Sequence, residues 1–555
     1  MSFNVISEVV TKDRCIGCGV CASSCPFSVL KMRLGGNGFY APEEGEGCRD
    51  KCDICLKVCP FYEKDMLENE LNSKSYAELE SFSPDFGRFL ATYKFYKKDE
   101  AQRLSSASGG AGDYIFRELF ARGLIDYAIC VVPADEGDFI IQNSERNSVC
   151  ENFTRNSASK NPVQNSKTSV LAQNLQNSAT KNSEQNSAIP NLTQNLADDD
   201  SINFTSAQNS FCENFTQNSM QNFTNENSAQ NSKASCKNSV STQNFACENS
   251  KNTRNYAGEN SVPLFKFSVI KNADELTRAR SSAYYPLTLE AVLKEMSRRE
   301  GRYAISALPC FAKALRLTAS KNPRLKSRIS FIIGLVCGQG KGAGFTHKLA
   351  DLAFKERKQL AAVNYRYKIA GKSAMSFGFK FRAIDGSEAI DDRSSSAFAY
   401  WSSRAFTPLA CNACTDVFAK CADVVLMDAW LQSEMSEWRG TSLVITRAAQ
   451  IDALFSQPTK QAREEIFCER VSAAEVQHSQ QSQVECKNEI FYGAKNPLRH
   501  YILRQKLQIQ RYSATHFDCD DFIAARLKKI AAANKVLALL ALPKIAAYKI
   551  YRKFA

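Results

Sequence analysis

The chain has 555 residues, of which 44% are hydrophobic and 23% are charged, and its formal net charge is +13. This length and hydrophobic content suffice for two or three domains with a buried core, and they exclude a small secreted module that depends on disulfide bonds. The start of the chain lacks the features of a signal peptide, and no apolar run reaches the roughly 18 residues that span a bilayer. We therefore expect a cytoplasmic protein.

Composition divides the chain into five regions, which are 1–65, 66–95, 96–141 together with 262–450, 142–261, and 451–555. The first is rich in cysteine, the second is a connector, and the last is basic and mainly helical. The insertion at 142–261 is dominated by Asn, Ser and Gln, and we expect it to be disordered because its isolated hydrophobic residues cannot offset the entropy of ordering. Its cysteines lack metal-site spacing; they are Cys150, Cys212, Cys236 and Cys247.

Two runs of four cysteines, each closed by Cys-Pro, lie in the first region. They are Cys15, Cys18, Cys21 and Cys25, and Cys48, Cys52, Cys55 and Cys59. The first run has the bacterial ferredoxin spacing C-x₂-C-x₂-C-x₃-C-P, and the second differs only in a first gap that is one residue longer. Each tight loop delivers three thiolates to one cubic cluster, and the thiolate before the proline reaches the other cluster. We therefore predict two 4Fe–4S clusters, one completed by Cys59 and the other by Cys25. Zinc is the alternative, but zinc sites use C-x₂-C pairs that lie well apart.

Strand-like and helical runs alternate over the third region, which favours an α/β domain with a largely parallel or mixed sheet. The predicted strands are 127–133, 264–270, 303–307, 329–336, 424–427 and 442–445. The predicted helices are 114–123, 289–299, 311–318, 345–355 and a C-terminal helix from about 521 that Pro543 breaks. The expected fold is therefore an α+β ferredoxin-like module followed by an α/β domain with a mixed sheet.

A Gly-rich turn precedes the first of these helices. It contains Ser106, Ser108, Gly109, Gly110 and Gly112. Small residues let the backbone close on a phosphate, while the amides of a helix N-terminus supply complementary charge. An ordinary loop is the alternative, since the sequence is neither a Walker A motif nor GxGxxG.

Four further cysteines follow apolar strands or form a C-x₂-C pair; they are Cys310, Cys337, Cys411 and Cys414. Ligands of α/β sheets bind at the carboxyl ends of strands, which is where we expect Cys310 and Cys337. The four thiols could therefore hold one more cluster. Buried structural cysteine is the alternative for each of them.

Several segments, taken in order, resemble the beta subunits of coenzyme F420-reducing hydrogenases and dehydrogenases, in the branch with an N-terminal ferredoxin domain. The matching segments are 38–42, 106–112, 123–126, 281–286, 308–310, 334–337, 365–368, 411–414 with Asp416, 422–423, 428–430 and 440–442. The resemblance implies a flavin-binding α/β domain that holds FAD and a third 4Fe–4S cluster near the flavin. It makes Cys310, Cys337, Cys411 and Cys414 the ligands of that cluster. The glycine turn departs from the family's Gly-Gly-Val-Val-Thr-like sequence at 111–113.

We assign flavin contacts to the turn and to a basic segment after it. The assigned residues are Ser106, Ser108, Gly109, Gly110, Gly112, Tyr365, Arg366 and Lys368. Arg366, Lys368 and Arg447 are candidates to neutralise FAD phosphate or an anionic substrate, with surface salt bridges as the alternative. His347 is a candidate proton donor, with an ordinary surface histidine as the alternative.

The resemblance implies an iron–sulfur flavoprotein oxidoreductase with no catalytic residue yet assigned. Family members exchange a hydride between flavin and substrate while clusters pass single electrons. We expect an external electron donor or acceptor, such as a ferredoxin or a redox enzyme subunit, and a small-molecule hydride acceptor. The alternative is a non-catalytic electron-transfer subunit of a larger redox complex. We expect no nucleic-acid partner, and a weak peripheral membrane contact through the basic C-terminus is a third hypothesis.

Overall fold

The computed structural model describes residues 3–49, 51–62, 67–134, 263–279, 282–392 and 396–554. The predicted insertion at 142–261, its four cysteines and Ser281 lie outside these residues, so the expectation of disorder there stays a prediction.

The described strands are, in chain order, β1 (Leu30–Leu34), β2 (Tyr40–Glu44), β3 (Ser81–Ser83), β4 (Gly87–Phe89), β5 (Ala91–Lys97), β6 (Tyr127–Pro133), β7 (Phe265–Ile270), β8 (Tyr303–Ala307), β9 (Ile329–Leu335), β10 (Leu360–Tyr367), β11 (Gly378–Ala383), β12 (Glu388–Asp392), β13 (Val424–Asp428), β14 (Ser442–Thr446) and β15 (Ile466–Arg470). The described α-helices are α1 (Val20–Ser24), α2 (Ile54–Lys57), α3 (Leu67–Ser75), α4 (Glu100–Ser105), α5 (Ala111–Ala121), α6 (Glu290–Arg298), α7 (Pro309–Lys321), α8 (Pro323–Arg328), α9 (Ala343–Phe354), α10 (Ser396–Ser402), α11 (Ala449–Ser456), α12 (Lys460–Glu465), α13 (Ala473–Tyr492), α14 (Pro497–Ser513) and α15 (Asp520–Phe554). Short π- or 3₁₀-helical turns lie at Ile6–Val10, Asp274–Ala279, Leu409–Ala413 and Gln432–Glu434.

The cysteine-rich region is built from one hairpin and two short helices. β1 and β2 pair antiparallel, with Leu30 opposite Glu44. α1 begins after Gly19, whose φ of +80° is a left-handed conformation that glycine adopts without a steric cost. The apolar side chains collapse into one buried group, here called the N-terminal core. Its buried members are Val5, Val9, Cys21, Ala22, Leu30, Cys55, Leu56, Phe61 and Ala410.

Eight of the described strands form one sheet in the order β15-β5-β14-β13-β9-β8-β6-β7. The centre of the sheet is parallel, because β6, β8, β9 and β13 run in the same direction. β7 on one side, and β14, β5 and β15 on the other, add antiparallel pairs. The mixed sheet predicted from the alternating pattern is confirmed.

Helices cover both faces of this sheet, which explains why its central strands are apolar runs. Along β8, Tyr303 and Ile305 point to the face covered by α6 and α7, whereas Ala304 points to the face covered by α5 and α11. A second sheet of β10, β11 and β12 packs with α9, α14 and α15 in an aromatic core that includes Phe345 and Tyr365.

The local hydrophobic pattern of the sequence predicted most of these strands and helices. β6 and β8 have the predicted bounds, and α5 begins at Ala111, a little before the predicted start. The sheet, however, extends beyond the predicted domain limits at 96 and 450. β5 lies in the predicted connector, β15 lies in the predicted C-terminal region, and the two strands pair with each other, with Ile466 opposite Lys97. Such pairing between distant segments leaves no local signal.

The C-terminal helix differs from the prediction as well. The predicted break at Pro543 is wrong, since α15 runs from Asp520 to Phe554. A proline removes only one backbone donor from a helix, and a long helix tolerates that loss at a kink. Across the part of the chain that the structure describes, no helix combines the length and apolar character needed to cross a bilayer.

Candidate iron–sulfur centres

Four predicted ligands, drawn from both cysteine runs, surround one cavity. They are Cys15, Cys18, Cys21 and Cys59, here called the first set. The cavity has an empty volume of about 300 Å³, and Val9, Met32 and Phe61 contribute to its lining. Cys59 follows α2 in the second run and lies beside the three cysteines of the first run. The predicted exchange of the fourth ligand requires this arrangement.

The first set is an unfavourable place for thiolates alone. Burial raises the pKa of Cys59 to about 12; the Phe61 amide opposes the rise and the Cys15 thiol adds to it. Burial, followed by the Cys59 and Cys15 thiols, also raises the pKa of Cys18. Four buried groups of like charge ionise together only when positive charge lies among them. This donor set therefore fits a metal cluster, whose iron supplies that charge.

Two glycines of the first cysteine loop are required by close packing. The Gly17 amide donates to Cys15 Sγ at 3.4 Å, and a Cβ at Gly17 would lie 2.8 Å from the Tyr40 carbonyl oxygen. A Cβ at Gly19 would collide with the Thr288 hydroxyl. Both glycines also have positive φ angles, of +77° and +80°. The loop therefore depends on glycine both for its conformation and for its contact with the α/β part of the chain.

The other four predicted ligands, Cys25, Cys48, Cys52 and Cys55, are here called the second set. Cys55 is buried in the N-terminal core, and Cys25 packs against that core from the end of α1. Burial raises the pKa of Cys55, the Val5 amide lowers it, and the Cys52 and Cys48 thiols raise it further. The Asn4 side chain points its amide nitrogen at Cys48 Sγ at 3.7 Å. Cys48, Cys52 and Cys55 thus lie close enough to influence one another.

A third set, Cys310, Cys337, Cys411 and Cys414, comes together from three separate segments. Cys310 lies in the first turn of α7, Cys337 follows β9, and Cys411 and Cys414 lie in and just after the turn Leu409–Ala413. Burial raises the pKa of Cys310, and the thiols of Cys414, Cys337 and Cys411 add to the rise. The Gly340 amide donates to Cys411 Sγ at 3.4 Å. Like the first set, these thiols fit a cluster that supplies positive charge.

The three sets adjoin one another in a definite order. The Cys18 thiol of the first set contributes to the raised pKa of Cys310 in the third set. The Cys55 thiol of the second set likewise contributes to the raised pKa of Cys21 in the first set, where burial is the main cause. Members of all three sets lie in or against the N-terminal core. The first set therefore adjoins both the second and the third.

Among the residues described, no three His, Cys, Asp or Glu side chains converge on a position that could hold a metal ion. A 4Fe–4S cluster places a different demand on its ligands. Each iron takes one thiolate, so the four sulfurs surround the corners of a cube instead of meeting at one point.

The residues assigned to flavin form one contiguous group around the glycine turn, apart from Tyr365. Arg366 Nε donates to the Ala107 carbonyl at 2.9 Å, and Lys368 Nζ donates to the Ser108 carbonyl at 3.0 Å. Ser108 Oγ in turn donates to the Thr441 carbonyl at 2.8 Å. Successive residues of a strand point to opposite faces, and Tyr365 accordingly lies in the aromatic core, with its hydroxyl 2.5 Å from that of Thr346.

The basic side chains of this group form hydrogen bonds and an ion pair with other groups of the protein. Lys368 Nζ also donates to the carbonyls of Arg103 and Arg439, and burial lowers the pKa of Lys368 to about 7. Arg366 also pairs with Asp428. Gly109 is explained by the fold itself, since a Cβ there would collide with the Phe95 carbonyl oxygen of β5. The cations therefore brace the turn, and its conformation alone is not evidence for a ligand.

Two other candidates have surroundings that differ from a surface location. Arg447 is 1% exposed, and its guanidinium donates to the carbonyls of Arg88, Ala422 and Phe86 at 2.9, 2.8 and 2.7 Å. It therefore braces the sheet from within. His347 is partly buried on α9, and burial lowers its pKa to about 4. The imidazole is neutral at pH 7 and is not a cationic proton donor.

One residue at the third set was not predicted from the sequence. Lys487 on α13 is 3% exposed, and its Nζ donates to Cys414 Sγ at 3.3 Å and to the Asp416 carbonyl at 2.6 Å. The buried positions of α13 include Val476 and Gln480. Residue 487 lies three helical turns after Val476, so the helical period places it on the same buried face. That periodicity is the signal that could have found it.

Two segments of the chain match known protein families. Residues 300–467 match the C-terminal part of the beta subunit of coenzyme F420 hydrogenase/dehydrogenase, and residues 8–31 match the 4Fe-4S binding domain. Over residues 300–467 the chain is similar to the coenzyme F420 hydrogenase/dehydrogenase beta subunits. The resemblance stated from the sequence is confirmed, and every member of the third set lies inside the first matched segment.

Individual relatives match different parts of this chain. It is 26% identical over 131 residues to one subunit of the F(420)H(2) dehydrogenase of Methanosarcina mazei, across 22% of this chain and 32% of that protein. It is 33% identical over 79 residues to ferredoxin-3 of Nostoc, across 11% of this chain and 81% of that protein. The chain thus spans about a third of its dehydrogenase relative. A chain in a solved structure of the F420-reducing [NiFe] hydrogenase complex from Methanosarcina barkeri aligns with a TM-score of 0.39 and 11% identity, across 74% of this chain and 94% of that chain.

The N-terminal region is therefore a ferredoxin-type 4Fe–4S domain. The protein therefore combines an iron–sulfur domain with a segment related to the beta subunits of F420 hydrogenases and dehydrogenases.

Proposed function

We propose that this protein is an iron–sulfur flavoprotein oxidoreductase that holds three 4Fe–4S clusters and one FAD. The observation that carries the proposal is the packing of all three cysteine sets in or against one N-terminal core, with Cys18 close to Cys310. This packing gives an electron path the order second set, first set, third set. Bound clusters would supply single-electron steps, and a bound flavin would supply exchange of electrons singly or as a hydride.

The role of the protein in this scheme is to hold and shield the thiolates. The first set would bind one cluster, the second set another, and the third set the cluster nearest the flavin. Apolar residues such as Val9, Met32 and Phe61 exclude water from the first set, and the amides of Gly17 and Gly340 donate to ligand sulfurs. Solvent exclusion and hydrogen bonds to sulfur are the means by which a protein sets cluster potentials.

We propose the glycine turn as the FAD site, and the resemblance to the beta subunits supports this proposal. The groups suited to its phosphates are the first amides of α5, at Ala111 and Gly112. Arg366 and Lys368 would position the turn and would not neutralise phosphate, since both donate hydrogen bonds to protein carbonyls.

We further propose that the bound flavin reduces a small-molecule hydride acceptor. A ferredoxin or a redox enzyme subunit would be the electron donor or acceptor. The alternative is a non-catalytic electron-transfer subunit of a larger complex. The two differ in one observable: an isolated holoprotein that oxidises a chemical donor and reduces an organic acceptor is an enzyme in its own right. A cytoplasmic location stays a prediction.

We also propose a contact between the exposed middle part of α15 and a bilayer surface that contains anionic lipid. Val536, Leu539 and Leu540 are 44%, 63% and 62% exposed. After Asp521 the sequence carries no acidic residue, and its basic residues are Arg526, Lys528, Lys529, Lys535, Lys544, Lys549, Arg552 and Lys553. Exposed apolar side chains beside unopposed cations suit the interface of an anionic membrane.

The ligand assignment of the third set can be tested by removing two of its members. The variant Cys337→Ser/Cys411→Ser should bind about four fewer irons than the wild type, with the ferredoxin clusters retained. Cys468→Ser is the matched control, because Cys468 lies on the edge strand β15, away from all three sets. Iron content after anaerobic reconstitution is the measurement. An unchanged iron content in the double variant, or an equal loss in the control, would refute the third site.

A further inference from the structure

Lys487 is a buried cation in contact with the third cysteine set. Its ammonium group donates to Cys414 Sγ at 3.3 Å and to the Asp416 carbonyl at 2.6 Å, and the residue is 3% exposed. A lysine side chain is an ammonium cation at neutral pH, so a positive charge lies beside the ligand sulfur.

The position of this cation is fixed by the helix that carries it. α13 begins with a capping box between Ser472 and Glu475. Farther along, Gln480 donates to the Asp428 carbonyl at 2.9 Å. The Gln483 side chain packs directly on Gly338, where an added Cβ would collide with it, so α13 lies against the segment that carries Cys337. Lys487 is thus held at the third set by contacts along the whole helix.

The sulfurs of the other two sets have donors of a different kind. The Gly17 amide donates to Cys15 at 3.4 Å, and the Asn4 side-chain amide approaches Cys48 at 3.7 Å. Both of these donors are neutral. A charged donor forms a stronger hydrogen bond than a neutral one and adds a Coulomb attraction that persists in a buried site.

We propose that Lys487 is a positioning residue that raises the reduction potential of the cluster held by the third set. This inference rests on the proposed function, since it requires that cluster. The first set would hold the cluster that gives up one electron, and the third set would hold the cluster that accepts it, with no bond formed or broken and no proton moved. The added electron would make the third site more negative. A fixed cation at Cys414 would stabilise that reduced state and favour electron transfer from the ferredoxin-type module to the third set.

The test is a redox titration of the anaerobic holoprotein, followed by electron paramagnetic resonance of each cluster. At the wild-type midpoint potential of the third cluster, Lys487→Met should lower its reduced-to-oxidised ratio by about tenfold, which is 59 mV for a one-electron couple. Lys487→Arg should restore the wild-type value to within about twofold, because it keeps the charge. Lys420→Met is the matched control: Lys420 is 8% exposed and donates to Asn69 Oδ1 at 2.7 Å, not to sulfur.

Each outcome has one interpretation. A third-cluster potential that is the same in Lys487→Met and the wild type overturns the role of Lys487 and leaves the proposed function intact. A wild-type protein with about eight irons and no third signal refutes the proposed function, and the inference fails with it. If Lys487→Met does not assemble the third cluster, Lys487→Gln is compared with Lys487→Arg. A lower potential in the glutamine variant supports the proposal, and equal potentials overturn it.

Discussion

Gly19 connects the first cysteine loop to the α/β part of the chain, and its lack of a side chain is what permits the contact. Its φ is +80°, and a Cβ would collide with Thr288. We predict that Gly19→Ala destabilises the loop beyond the strain of a left-handed alanine and loses about four irons after reconstitution. Gly371→Ala is the control, since Gly371 has a φ of +73° and an added Cβ would meet nothing within 4 Å. That variant should lose only about 1–2 kcal/mol and no iron. Equal iron content in the two variants would contradict the account.

His347 gives a second prediction at the scale of one residue. Burial lowers its folded-state pKa to about 4, from an unfolded value near 6.5. Between these values the unfolded chain binds a proton that the folded protein does not, so the contribution of His347 is fully present above about pH 6.5 and is lost as the pH falls towards 4. We predict that His347→Gln shows a smaller drop in urea midpoint between pH 7 and pH 5 than the wild type. Parallel pH dependence in both proteins would be the contrary result.

At the scale of elements, Arg447 joins the sheet to the connector. Its guanidinium bonds to carbonyls from both sides of that junction, including those of Phe86 and Ala422. We predict that Arg447→Met lowers the free energy of unfolding by about 3 kcal/mol or more, because several buried carbonyls lose their donors. Arg302→Met is the control: Arg302 forms an exposed pair with Asp126, and its loss should leave the free energy of unfolding close to the wild-type value.

Equilibrium denaturation measures both Arg447→Met and its control, and the flavin content of the folded fraction is recorded beside it. A loss of flavin without a loss of stability in Arg447→Met would mean that the side chain serves the cofactor and not the sheet.

Prediction from sequence succeeded for elements whose signal is local. β8, for example, follows from an apolar run between polar segments. The assignment of the first two cysteine sets also rests on spacing within a few residues, and it stays a prediction. Prediction from sequence failed where the determining contact is distant in the chain. β5 joins the sheet through β14 and β15, and Lys487 reaches Cys414 from another element. Strand ends and spacing offered the four residues of the third set only as one of two alternatives, since three separate segments supply them, and the family resemblance was needed to favour a cluster.

At the scale of the whole molecule, the exposed apolar side chains of Val536, Leu539 and Leu540 on α15 predict a measurable surface property. We expect the full-length holoprotein to float with vesicles of phosphatidylcholine and phosphatidylglycerol, and not with phosphatidylcholine alone, and to be released by high salt. Leu539→Glu/Leu540→Glu should abolish flotation. Ile384→Glu is the control, because Ile384 is 61% exposed at another site. Equal flotation of the double variant and the control, or no flotation of the wild type, would refute the contact. Binding to an acidic protein but not to vesicles would do the same.

The three cysteine sets around the N-terminal core would hold clusters that pass electrons towards a flavin. The measurement that tests this most directly is the amount of iron, acid-labile sulfide and flavin per chain after anaerobic purification and reconstitution. We predict about twelve irons, about twelve sulfides and one FAD. About eight irons with no flavin, and no uptake of added flavin, would contradict the account and leave a ferredoxin-type domain fused to a domain of another function.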